Sequence, residues 1–239
     1  MKRTALFWIL TLLLLPEATL RAASQSALQL PSDVATQITV RVRNYAQIES
    51  NVLSKAETTA RKILHEAGVN TLWLVCFDGT TWSGEVACTR LPGPMDLVVN
   101  VLPLSMSRSL YDRGDAFGYA TEGGLEESFG SIAWIFYDSI HRLAAERQLC
   151  LGQLLGYAFA HELGHLLLGP KSHSGVGLMR SPWSSRELLA ADQGALFFSA
   201  SESRRLQEAT VARWQEGSRA VRSTAEQQVT RIRTDPDSK

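Results

Sequence analysis

The chain has 239 residues, a formal net charge of zero and 45% hydrophobic residues. The balanced charge supplies no basic stripe to neutralise phosphates, which argues against nucleic acid as a partner. The length suits one domain, or one domain with a small second lobe.

The N-terminus reads as a secretory leader. Lys2 and Arg3 precede the apolar run ALFWILTLLLL, Pro16 ends it, and small residues cluster at Ala22, Ala23, Ser24 and Ser26. The run is too short to span a bilayer comfortably. Residues 1–24 are expected to be a signal peptide cut between Ala23 and Ala27, giving a secreted or periplasmic protein with no stable membrane insertion afterwards. A buried first helix and an uncleaved anchor are the alternatives.

Beyond the leader, Ile38, Val40 and Val42 alternate with Thr39, Arg41 and Arg43, the pattern of a half-buried strand. Apolar residues at spacings of three and four then predict a helix over 48–67, capped by Gly68. LWLVCF at 72–77 reads as a buried strand. Cys76 and Cys88 flank a polar, Gly-containing loop. In an exported chain they are a candidate disulfide, with two buried thiols as the alternative. Strands follow over 96–102 and 131–137. Between them AFGYAT at 116–121 reads as a short edge strand bounded by Gly123 and Gly124. Residues 148–168 are apolar nearly all round and predict a buried helix with Cys150 in the core. After Gly169 and Pro170 a Gly/Ser-rich loop runs through Met179 and Trp183. A polar-faced helical segment covers about 185–217, broken near 199–201, and a charged, frayed tail covers 218–239. The expected fold is a mixed α/β (α+β) sheet with packed helices, a central buried helix and a small, mostly helical C-terminal lobe. One domain spans 25–217, its cleft near 169–175.

The stretch HELGHLLLGPKSHSGVGLM at 161–179 holds three of the chain's five histidines. His161 and His165, four apart on a helix, differ in direction by only about 40°. Both imidazoles can therefore reach one metal ion. Glu162 projects about 100° away, unsuited as a ligand and suited to touch a water beside the metal. This is the physical logic of HExxH, two zinc ligands and a general base. The pair His65-Glu66 has no such partner, because Val69 stands four after His65. A buried apolar helix has little reason to carry His-Glu-His unless the groups are paired or coordinated; core histidines satisfied by hydrogen bonds are the alternative.

HELGHLLLGPKSH followed by GLM resembles the metzincin zinc peptidases, whose pattern is HExxHxxGxxH with a downstream Met-turn. The resemblance implies a twisted mixed sheet with a backing helix, an antiparallel edge strand along the cleft and a central active-site helix. By position it makes His161, His165 and His173 the zinc ligands, Glu162 the base and Met179 the Met-turn residue. It implies a peptide or protein substrate held by the 116–121 edge. Trp183 falls near a family Tyr that helps stabilise the transition state, although packing is its expected role here; His141 and Tyr157 are read as structural. The chain departs from the pattern: Leu168 and Lys171 occupy the nominal Gly and third-His positions, and Gly169 and His173 come one and two residues later. A helix longer by one residue, about 1.5 Å, would turn at Gly169 and stop at Pro170. The extra residue before His173 then supplies the longer return. Lys171 is a poor ligand because its amine is protonated near neutral pH. Two other readings remain open. One is a gluzincin-like peptidase with Glu187 as third ligand. The other is a secreted zinc-binding protein without peptidase activity.

Overall fold

The computed structural model describes residues 36–110, 116–121, 131–169 and 171–234. The leader at 1–24, the boundary at Gly123 and Gly124, and Pro170 lie outside them. The fold is mixed α/β. Strand β1 (Ile38–Asn44) sits between β2 (Thr71–Phe77) and β3 (Asp96–Leu102), and β5 (Ile132–Phe136) lies beyond β3. These four strands are parallel. Strand β4 (Gly118–Ala120) closes the sheet antiparallel to β5, with Tyr119 opposite Trp134. Every residue of the central β3 is buried, Asp96 and Asn100 included, as in a strand covered on both faces.

Helix α1 (Ser50–Glu66) crosses from β1 to β2 and buries Leu53, Ala56, Ala60, Ile63 and Leu64. Gly68, at φ 79°, closes it; its N–H donates to the His65 carbonyl and the next, of Val69, to the Leu64 carbonyl. Cys76 and Cys88 form a disulfide with a Cα–Cα distance of 5.3 Å, tying the end of β2 to the short helix α2 (Val86–Thr89). Helix α3 (Leu104–Leu110) follows β3.

The segment after β5 differs from expectation. A separate helix α4 (Tyr137–Arg147) intervenes, and Gln148, at φ 55°, ends it. The central helix α5 (Leu151–Leu168) therefore starts three residues later than the sequence suggests. Cys150 is its N-terminal flanking residue and is exposed, not core, because the buried face of the helix begins only after it. Helix α5 packs directly on α1: a Cβ on Gly156 would stand 2.5 Å from the Thr59 Cβ and 2.6 Å from the Ala56 carbonyl oxygen. Phe159 stacks on Trp73 from the sheet, with ring centroids 5.9 Å apart.

Helices α6 (Ser185–Asp192) and α7 (Ala200–Thr234) make up the C-terminal part. The break between them is an extended stretch after Gly194. The Ser199 N–H donates to the Glu202 carboxylate at 2.7 Å, and the Glu202 N–H donates back to the Ser199 hydroxyl at 3.3 Å, a reciprocal N-terminal cap. The expected frayed tail from Ser218 is instead helical through Thr234, since no helix-breaking residue occurs between Gly217 and Pro236. No helix among the described residues is long and apolar enough to cross a membrane.

Candidate metal centre

The three histidines converge. The Nε2 atoms of His161 and His165 are 3.1 Å apart, and those of His165 and His173 are 3.0 Å apart. Nitrogens about 2.0–2.1 Å from a tetrahedral zinc lie about 3.3 Å from one another, so the spacing fits a shared ion. Among the described residues these three are the group able to hold a metal.

The loop that delivers His173 is built by short-range bonds. The Gly169 N–H donates to the His165 carbonyl at 3.0 Å, ending α5 after Leu168. Gly169 has positive φ but extended ψ (87°, 172°), and the left-handed helical conformation falls on Lys171 (φ 62°). The turn thus uses two positions where the sequence suggested Gly169 alone. Ser172 is buried, and its hydroxyl meets His165 Nδ1 at 2.9 Å. The chain is held again where the Ser174 N–H donates to the Met179 carbonyl at 3.0 Å.

These outer contacts orient the rings. His161 Nδ1 lies 2.8 Å from the Leu178 carbonyl oxygen. That oxygen can only accept, so Nδ1 carries the proton and Nε2 presents its lone pair. The Trp183 indole N–H donates to the same carbonyl at 3.0 Å, while its ring meets the His161 ring edge-on, 5.8 Å between centroids. Trp183 packs and orients, and its donor is not aimed at a reacting group. Burial pushes the His161 imidazolium down to about 4 despite its Leu178 bond. Burial and the neighbouring histidines push His165 down to about 3. His173 is lowered too, again by desolvation. All three are neutral at pH 7, the form that ligates a metal.

Glu162 packs against β4. Its side chain occupies the place of the missing Gly118 side chain: a Cβ there would stand 2.7 Å from Glu162 Cγ and 2.6 Å from the Trp134 carbonyl oxygen. Burial pushes its carboxyl up to about 8. A cation nearby would act in the opposite direction. Histidines and glutamate open onto a cleft of about 1380 Å³, edged by Phe117–Thr121 on one side and Trp183 on another, with the Leu143 face of α4 along it. Met179 is fully buried. Its sulfur would lie 2.7 Å from a Cβ on Gly164, the residue before His165.

Glu187 is elsewhere. Its carboxylate caps α6, accepting from the Ser184 N–H at 2.9 Å, and lies 3.4 Å from Arg180 Nε. The Ser184 hydroxyl, which also donates to it, holds the carboxyl below its ordinary range, helped by the Ser184 N–H and Arg180. His141 is exposed beside Tyr137, and Tyr157 is core. Sequence reasoning missed Gly118, Gly164 and Ser172. Only Ser172, a polar residue between ligand positions, left a signal in the chain. No protein-family model matches this chain, and a search of curated proteins finds no match. Fold and site together define a mixed α/β protein with a histidine triad able to bind a metal ion.

Proposed function

We propose that the chain is an exported, zinc-dependent endopeptidase of the metzincin kind. The observation that carries this is the convergence of three imidazoles in a cleft that Glu162 also lines and a sheet edge borders. Zinc held by three neutral imidazoles supplies a Lewis acid that polarises a carbonyl and acidifies water. The chain's own residues do the rest. Glu162 takes the proton from the attacking water and passes it to the leaving amine. Strand β4, at the end of the sheet, offers main-chain donors and acceptors to an extended peptide. The Leu178 carbonyl and Ser172 hydroxyl keep His161 and His165 turned to the metal. Glu187 is committed to the α6 cap and Arg180, which disfavours it as a third ligand.

In the test, Glu162→Gln keeps its zinc and loses peptide hydrolysis by about two to four powers of ten. Loss of zinc in that variant would overturn the assignment of Glu162. Full zinc with no cleavage of any peptide by the unaltered chain would favour a zinc-binding protein without peptidase activity. Export rests on the leader pattern at 1–24. N-terminal sequencing of exported protein is expected to begin between Ala23 and Ala27, and a start at Met1 would contradict it.

A further inference from the structure

The last turn of α5 has a gap in its hydrogen bonding that another helix fills. In a regular helix the Leu166 carbonyl accepts from the N–H four residues on. That residue is Pro170, which has no N–H. Instead, Arg213 of α7 donates from Nη2 to the Leu166 carbonyl at 2.8 Å. Its Nη1 donates to the Pro94 carbonyl, just before β3, at 2.9 Å. Eight residues earlier on the same helix, Arg205 Nη2 donates to the Leu168 carbonyl at 3.0 Å. Arg213 is 1% exposed. A buried cation is costly, and burial lowers its pKa to about 10. The carbonyl end of a helix attracts cations, and a planar guanidinium can hold two carbonyls from two elements at once, which a lysine ammonium does less well.

We propose that Arg205 and Arg213 are positioning residues for the metal centre, through which α7 fixes the end of α5 and hence the path by which His173 reaches His161 and His165. The inference rests on the triad being a metal site. Only four residues separate the helix end at Leu168 from His173. Metal–ligand distances tolerate about 0.2 Å, so the exit point of the chain matters. The Arg205 bond acts at that exit point, and the Arg213 bond acts one half-turn earlier and ties it to the sheet.

The test is a double-mutant cycle read by zinc affinity, with Zn²⁺ titrated into the full chain against a chelator. Arg205→Ala, at an exposed side chain, is expected to leave the thermal midpoint of the metal-free chain nearly unchanged and to weaken zinc binding about tenfold, as loss of an outer contact does. In a His173→Ala background the same change is expected to weaken it by no more than about twofold, because acting through His173 makes the effects non-additive. Arg213→Lys follows the same pattern if it folds. Equal affinity in Arg205→Ala and the unaltered chain, or additive losses in the cycle, would overturn the inference and leave the metal site standing. No zinc binding by the unaltered chain would overturn the site itself.

Discussion

At the scale of single residues, the histidine triad is legible because helical spacing is a property of the sequence. Four residues put His161 and His165 on one face, and Gly169 marks where the chain can turn back to His173. Their supporting partners are not legible. His161 is oriented by a main-chain carbonyl, that of Leu178, and every residue has one. Gly118 is invisible for a related reason: its role is the space that Glu162 fills. That space gives a prediction. In Gly118→Ala the new methyl must displace either the Glu162 side chain or β4 from the Trp134 carbonyl. Displacements of about 1 Å near a reacting group cost up to about a hundredfold in rate. Peptide turnover is expected to fall by about tenfold or more with zinc affinity unchanged, measured side by side. Unchanged turnover, or lost zinc, would show that the Glu162 carboxylate is not held by this contact.

At the scale of elements, strongly patterned segments were legible and their ends were not. The helix at 151–168 is apolar nearly all round, β1 alternates, and β2, β3 and β5 are short apolar-rich runs between turn residues. The burial expected of 72–77 is not met, because β2 is an outer strand with Leu72 and Val75 exposed. Helix α4 was missed because nothing punctuates its start: Phe136 ends β5 and Tyr137 begins the helix. Its end is equally silent, because Gln148 takes the left-handed conformation that usually announces itself as glycine. The break between α6 and α7 was expected near 199–201, and Ser199 does cap α7. The charge of the segment beyond Ser218 suggested fraying. Composition alone does not separate a charged tail from a charged helix, and with no Gly or Pro before Pro236 the helix continues.

At the scale of the whole molecule, the sequence names the layers but not the strand order. The order β2-β1-β3-β5-β4 puts the three-residue β4 beside the C-terminal half of the buried helix, where Gly118 meets Glu162. The centre joins parts far apart in the chain: β4, α5, the loop to His173, the Met179 turn and, through Arg213, α7. Zinc that binds this assembly and not the unfolded chain stabilises the whole fold. The central claim is that His173 completes the site despite its shifted spacing. The most direct measurement is the zinc content of the purified chain and of two variants. The account predicts one zinc per unaltered chain, a sharp loss in His173→Ala, and retention in Glu187→Ala, where the α6 cap and the Arg180 ion pair are removed. Zinc kept by His173→Ala and lost by Glu187→Ala would contradict it and move the third ligand to Glu187.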